Sequence, residues 1–422
     1  MTLDDQAIAI LRGNDRGGFT IPTRGLYPYQ WNWDSAFVAL GFAAFDRPRA
    51  WAEVTTVLEG QWPDGMVPSI LFRRDDPDYF PGPRRWGANL GPIPSTGVSQ
   101  PPVLSTAVRL LAGEDDADRL DNIFDKLLAW HNWYHTARTF DGVIATVHPW
   151  ETGRDNCPDW NIGLDAMEVA PDLAPYERMD NKHVDASFRP SQAQYDRYLT
   201  IIQAGQQVGW DQARLTTEGP FLMADPNINF VLLRADRDLF TLAERLGRDQ
   251  TVRNKIQGWI AKGEAASDRL WNDQLGGYAA RDLHSGRFSD GFTNASALCF
   301  YAGVGAPEQR ARTLQNIRRI GERVQYMLPS WDPDAQDFEP QRYWCGPIWP
   351  QMNFMIAMGL REQGEAQLAD RMQSDLTRLI EASGFWECFN PVTGAGCVGS
   401  DFSWTAAMWL AWLSPSWLTR VA

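Results

Sequence analysis

Apolar residues recur along this chain with the period of an α-helix. Leu368, Met372, Leu376, Leu379 and Ile380 fall at i, i+4, i+8, i+11 and i+12, one face of a helix, and Gly384 stands where a C-cap would close it. Val103, Leu104, Ala107, Val108, Leu110 and Leu111 repeat the pattern ahead of Gly113, as do Phe230, Val231, Leu233, Leu239, Leu242, Ala243 and Leu246 ahead of Gly247. The same reading predicts helices near 34–45, 47–59, 118–137, 190–208, 250–271, 294–303, 307–324, 347–363 and 401–415, about a dozen in all. Between alternate helices lie Gly-, Pro- and Trp-rich stretches at 17–33, 61–102, 148–162, 325–346 and 385–400. No sustained alternation marks a large sheet, and no Gly/Ser or Pro-rich linker divides the chain into two cores. The expected architecture is therefore a single all-α domain over 1–422, an (α/α)6 toroid whose long aromatic loops gather on one rim around a central pocket.

Composition narrows the partners. A chain of 422 residues with 44% apolar and 22% charged residues can bury a sizeable core without disulfides or metals. Its formal charge of -14, from 39 basic and 53 acidic side chains, opposes a phosphate-backbone partner and an anionic membrane surface. No apolar run reaches the length of a spanning helix, and the start MTLDDQAIAILRGNDRGG is acidic where a secretory signal is basic, so a cytoplasmic location is expected. The five cysteines, Cys157, Cys299, Cys345, Cys388 and Cys397, show no CxxC spacing, which suggests reduced thiols and no metal site. His131 and His135 stand at i, i+4 without the HExxH pattern, and no G-x-G-x-x-G or Walker motif is present, so no cofactor is expected. A homo-oligomer is compatible with the sequence, which does not fix the oligomeric state. The 20 Trp are the anomaly, and they concentrate attention on the loops that carry them.

In 150-WETGRDNCPDW-160, Glu151, Asp155 and Asp159 lie among Trp150, Gly153 and Trp160. A carboxyl desolvated against indole rings has a raised pKa and can stay protonated near neutrality, as a general acid must; alternatively, Asp155 and Asn156 cap backbone N–H groups before Pro158. In 384-GFWECFNPVTG-394, Glu387 sits between aromatic residues ahead of an Asn-Pro turn, which places it on a short loop, either as a catalytic carboxylate or as a salt-bridged structural one. Together Asp155 and Glu387 make a two-carboxylate glycosidase arrangement available. In 26-LYPYQWNWDSAF-37, Tyr27, Gln30, Trp31, Trp33 and Asp34 lack core spacing, and Asp34 suits either an N-cap or a sugar hydroxyl. In 342-RYWCGPIWPQMN-353, Trp344 and Trp349 flank Gly346 and Pro347 like an exposed sugar platform. His148 and His183 lie near these motifs, with a satisfied structural role as their ordinary reading.

These motifs, YPYQWNWDSAF, WETGRDN, RYWCGPIW and GFWECFNPVTG in this order, resemble the catalytic (α/α)6 domain of glycoside hydrolase family 63 over roughly 14–412, and the length resembles its bacterial mannosylglycerate and glucosylglycerate hydrolases. The resemblance implies inversion, with Asp155 as general acid and Glu387 as general base. It implies that Tyr27, Trp31, Asp34, Trp150, Trp344 and Trp349 line the sugar subsite. Gln30, Trp33, Gly153 and Trp404 complete the candidate set. In 183-HVDASFRPSQAQYDRY-198 the resemblance makes Arg189 and Tyr195 carboxylate contacts from a mobile loop at about 171–198, with Tyr79 and Gln100 as further glycerate contacts. Many relatives carry Arg where Cys345 stands, which leaves gluco or manno preference open. The expected activity is thus hydrolysis of a small anionic α-glycoside. The rivals are an α-glucosidase or α-mannosidase on a neutral disaccharide and a non-catalytic sugar-binding protein.

Overall fold

The computed structural model describes residues 1–182 and 184–415; His183 therefore lies outside the described residues. Twelve helices make two concentric rings. In chain order they are α1 (Leu3–Asn14), α2 (Asn32–Ala43), α3 (Arg47–Leu58), α4 (Leu104–Leu111), α5 (Ala117–Ala137) and α6 (Pro226–Arg245). There follow α7 (Gln250–Ser267), α8 (Leu298–Ala302), α9 (Pro307–Arg323), α10 (Pro350–Glu362), α11 (Ala366–Ser383) and α12 (Ser403–Met408). The even-numbered helices pack α2 on α4, α4 on α6, α6 on α8, α8 on α10, α10 on α12 and α12 back on α2, which closes an inner ring. The odd-numbered helices lie outside: α3 on α2, α7 on α6, α11 on α10 and α1 on α12. This is the (α/α)6 toroid expected from the helix count.

Sequence explains which helix goes where. The inner helices are buried on most of their faces; α2 is buried from Asn32 to Phe42 and α8 throughout. The outer helix α9 buries Leu314, Ile317 and Ile320 and turns its arginines to solvent. The inner ring closes tightly because glycine sits where two helices meet. A Cβ on Gly41 of α2 would stand 2.5 Å from the Cα of Ala407 in α12, and one on Gly359 of α10 would stand 2.2 Å from the backbone nitrogen of Tyr301 in α8. Proline at the first turn of α3, α6, α9 and α10 starts helices where an N–H has no intrahelical partner anyway.

Several elements depart from the expected pattern. Helix α1 was not expected; a capping box between Thr2 and Asp5 starts it, and Ala7 and Leu11 bury its inner face. The expected helix at 294–303 is a 3-10 turn, Asn294–Ala297, followed by α8, and the one at 401–415 is α12 followed by a π-turn, Trp409–Leu413. A small antiparallel sheet joins Thr139–Phe140, Val143–Thr146, Met223–Ala224 and Arg281–Asp282. The helix expected near 190–208 is present as Gln192–Gln207, begun by a Ser191/Gln194 capping box, and it takes up the C-terminal end of the loop expected at 171–198.

Candidate active site

One cleft collects side chains from most of the aromatic stretches singled out in the sequence. Tyr27, Trp31, Trp33, Asp34, Tyr79, Gln100, Trp150, Gly153, Asp155, Arg189, Tyr195, Trp344, Trp349, Glu387 and Trp404 all line it.

The WETGRDNCPDW segment contributes one free carboxyl and two that are spent on structure. Glu151 is fully buried, pairs with the buried guanidinium of Arg138 at 3.0 Å, and accepts the N–H groups of Ser99 and Val147. Asp159 pairs with Arg154 at 2.8 Å and accepts from the Ser289 hydroxyl, while Arg154 reaches Asp225 as well. Between these anchors Gly153 turns the chain at φ +72°, and a Cβ there would meet the Trp33 ring at 2.8 Å. The turn delivers Asp155 to the cleft with its carboxylate unpaired; its backbone carbonyl accepts from the Tyr198 hydroxyl at 2.7 Å. The capping alternative does not hold. Cys157 occupies the N-cap position of the 3-10 turn Pro158–Trp160 without a side-chain bond, and the Asn156 side chain accepts instead from the Trp344 N–H at 2.9 Å. Burial pushes the Asp155 carboxyl up to about 7, against the opposing charge of Arg189.

Glu387 lies on a strand, Trp386–Phe389, paired with Gly396–Ser400, and not on the loop expected from the Asn-Pro turn that follows it. Its Oε1 accepts from the Tyr343 hydroxyl at 3.1 Å and from the Tyr27 hydroxyl at 3.2 Å. Its Oε2 is buried and has no partner among the described residues. Burial raises this carboxyl too, to about 7, while Arg189 and the two phenols hold it down. The environments of the two carboxyls therefore differ in kind. Two O–H donors stabilise the ionised form of Glu387, and among the described residues no side chain donates to Asp155.

The walls are indole. Trp344 and Trp349 stack on each other at 3.8 Å between centroids and 6° between planes, and Trp404 meets Trp349 edge-on at 5.6 Å. The sequence suggested an exposed pair; both rings are buried, their edges forming cleft wall. Asp34 lies in the first turn of α2, yet Trp31 occupies the N-cap position, so Asp34 caps nothing. Burial, reinforced by the charge of Glu387, drives its carboxyl well above the usual carboxylate range. Gln100 accepts the Trp33 N–H through Oε1, leaving its Nε2 hydrogens for a ligand.

At one end of the cleft Arg189 donates through Nη1 to the Tyr27 hydroxyl at 2.9 Å and through Nε to Asp180 at 3.0 Å, with its guanidinium 4.4 Å from the Tyr343 ring centroid. The Tyr195 hydroxyl donates to the Phe80 carbonyl. Gln30 is the one candidate the fold takes elsewhere. Its amide is fully buried outside the cleft, donating to Ser35, Glu53 and Thr56 and accepting from Arg73. Conversely, Tyr343, Asp180, Trp86 and Phe402 line the cleft without having been singled out, although Tyr343 stands inside the RYWCGPIW motif. His148 is satisfied, donating to the Tyr198 carbonyl and accepting from the Trp150 N–H, and burial lowers its pKa to about 3. His131 and His135 both bond Asp236. Among the described residues no group of three or more His, Cys, Asp or Glu side chains is placed to hold a metal, and no helix is long and apolar enough to cross a membrane.

Comparison with known proteins places this geometry in a family. The model of the mannosylglycerate hydrolase MGH1-like glycoside hydrolase domain matches residues 27–405. A mannosylglycerate hydrolase of Selaginella moellendorffii is 44% identical over 411 residues, 96% of this chain and 84% of that one. A glucosylglycerate hydrolase of Mycolicibacterium hassiacum is 32% identical, over 97% of each chain. The crystal structure of the family 63 mannosylglycerate hydrolase of Thermus thermophilus with Tris and D-glycerate superposes with a TM-score of 0.93 at 42% identity, covering 97% of this chain and 100% of that one. The chain belongs to the mannosylglycerate hydrolase MGH1-like glycoside hydrolases of family 63.

Proposed function

We propose that the protein hydrolyses α-mannosylglycerate or α-glucosylglycerate to the hexose and glycerate with inversion at the anomeric carbon. The observation that carries this reading is the coexistence, in one indole-walled cleft, of two otherwise unpaired carboxyls, Asp155 and Glu387, with one cation, Arg189. The protonated carboxyl of Asp155 gives its proton to the glycosidic oxygen as the bond from that oxygen to C1 breaks. Glu387, held as an anion by Tyr27 and Tyr343, takes a proton from water through its bare Oε2 while the water oxygen bonds C1 from the opposite face. The products are β-hexose and glycerate; proton exchange with solvent then restores both carboxyls. Arg189 matches the aglycone carboxylate with its remaining N–H groups, assisted by Tyr195, Tyr79 and Gln100.

Arg189 and Asp180, both in the segment 171–198, line the cleft, and on this reading the segment acts as a movable cover. Amide hydrogen exchange across it is expected to slow when D-glycerate is added; unchanged exchange would rule the cover out. The activity itself is tested by a proton NMR time course with α-mannosylglycerate, α-glucosylglycerate, kojibiose and trehalose. β-Hexose appearing first from a glycerate substrate is the expected outcome. Cleavage of a neutral disaccharide alone would remove the role given to Arg189, and no cleavage of any would leave a sugar-binding protein.

A further inference from the structure

The end of the cleft that holds Arg189 contains a charge arrangement that the hydrolytic reading does not use. Six ionisable acidic or basic side chains, tyrosines aside, line the cleft: Asp34, Asp78, Asp155, Asp180, Glu387 and Arg189. Arg189 is thus the sole cationic lining group among the described residues. Its closest counter-charge is Asp180, whose side chain is 9% exposed and which is shared with a second arginine. Asp180 accepts from Arg178 through both carboxylate oxygens, Nε to Oδ1 at 3.1 Å and Nη2 to Oδ2 at 2.6 Å, and from Arg189 Nε at Oδ2. Arg178 is fixed in turn by the Pro190 carbonyl at 2.6 Å and by the Tyr195 ring, 4.4 Å from its guanidinium carbon. Two arginines and one aspartate leave one net positive charge, and that charge is presented to the cleft by Arg189 alone.

We propose that Asp180 is a positioning and specificity-determining residue: it locks the Arg189 guanidinium by its Nε edge and, by cancelling the second arginine, restricts the aglycone subsite to a single negative charge. The inference rests on the anionic-aglycone reading above and deepens it. Nε is committed to Asp180 and one Nη1 hydrogen to Tyr27, so the donors left over can meet one carboxylate. A second carboxylate would face Asp180 and, beyond it, the carboxyls of the catalytic end, with no cation left to answer it. A neutral aglycone would leave the guanidinium buried without its third partner.

Three ligands on the same three-carbon skeleton read this directly: glycerol with no charge, D-glycerate with one and tartronate with two. Their competitive inhibition constants against hydrolysis are measured for the wild-type chain, Asp180→Asn and Asp180→Glu. For the wild type, glycerate is expected to bind at least about tenfold more tightly than either of the others. In Asp180→Asn the preference for glycerate over tartronate should fall by about tenfold, because the released Arg178 charge now accepts the second carboxylate, and Asp180→Glu should recover part of it. A residue that only stabilised the fold would weaken all three ligands together and leave the ratios unmoved. The inference is overturned if the wild type holds tartronate as tightly as glycerate, a comparison that does not depend on any variant folding. It is equally overturned if the ratio survives in a folded Asp180→Asn. Failure of the parent reading looks different: the wild type then shows no turnover of either glycerate glycoside.

Discussion

Replacing Tyr343 by Phe removes one oxygen and tests how the base is held. The ring stays where it is, edge-on to Trp349 at 5.1 Å and under the Arg189 guanidinium, so the fold has no reason to change. What is lost is the 3.1 Å bond to Glu387 Oε1, the stronger of the two phenol contacts in holding that carboxyl down. A hydrogen bond to a charged group is worth about 1.5–3 kcal/mol, and one pKa unit about 1.4, so a rise of about one unit in Glu387 is a conservative expectation while Tyr27 still donates. Both carboxyls stand near 7 in the wild type, and the proposed mechanism needs Asp155 protonated with Glu387 ionised. Treated as independent sites, that microstate is about a quarter of the molecules at pH 7. Raising the base by about one unit depletes it about ninefold near pH 6 but only about twofold near pH 8, so the defect in kcat/KM should grow as pH falls and the optimum should move up by about half a unit. The assay is a pH profile of kcat/KM on the glycerate substrate for wild type and Tyr343→Phe. A loss of equal size at every pH would refute the reasoning, because it would mean that Tyr343 acts on substrate and not on the protonation of Glu387.

Further expectations follow from the same neighbourhood. Glu151→Ala strands the Arg138 charge in the core, and breaking a buried pair on one side costs about 3–5 kcal/mol; the denaturant midpoint should fall by the corresponding amount, and an unchanged midpoint would show that the pair does not anchor the segment. Gly153→Ala forces a side chain into left-handed backbone, at about 1–2 kcal/mol, and drives its Cβ against Trp33, so kcat/KM and thermal stability should drop together; wild-type activity in that variant would mean the turn is not what presents Asp155. Asp155→Asn and Glu387→Gln should each abolish turnover while leaving D-glycerate binding by calorimetry within about threefold, and a wild-type rate in either would cancel that residue's role.

Eleven of the twelve helices are legible because an inner or outer helix of this fold writes its burial as a 3.6-residue period, and the shorter α8 and α12 are legible only as parts of longer apolar runs that include 3-10 and π geometry. Helix α1 escaped because its start was read for targeting signals, although Thr2 and Asp5 carry the capping chemistry. Gln30 shows a different limit. An amide among aromatic residues reads as a ligand contact, and only the position of Glu53 and Thr56 on α3, a tertiary fact, turns it inward. The Trp count misleads in part for the same reason: Trp130, Trp133 and Trp160 are as buried as any core residue and lie outside the cleft, and large amphipathic rings fill the gaps between helices as readily as they stack on sugars.

Three carboxyls stand within eleven residues of the WETGRDNCPDW segment, and two of them are ion-paired. Burial raises the free energy of every ionised carboxylate, and a chain relieves it by pairing wherever a cation is in reach. Arg138 takes Glu151, and Arg154 takes Asp159 together with Asp225, so the flanks of the turn are fixed by contacts that can be removed only at several kcal/mol each. Asp155 sits between them, carried past Gly153 into the cleft, where the one nearby cation, Arg189, is already engaged by Asp180 and Tyr27. It is relieved by keeping its proton. The same logic on the strand Trp386–Phe389 gives Glu387 two phenols at one oxygen and, among the described residues, nothing at the other, a carboxylate stable enough to ionise and, in the proposed mechanism, bare enough to accept a proton from water. The division of labour between two carboxyls of similar pKa is therefore set by which one receives donors, and the sequence places those donors, Tyr27 and Tyr343, more than 300 residues apart, where only closure of the inner helical ring can bring them together.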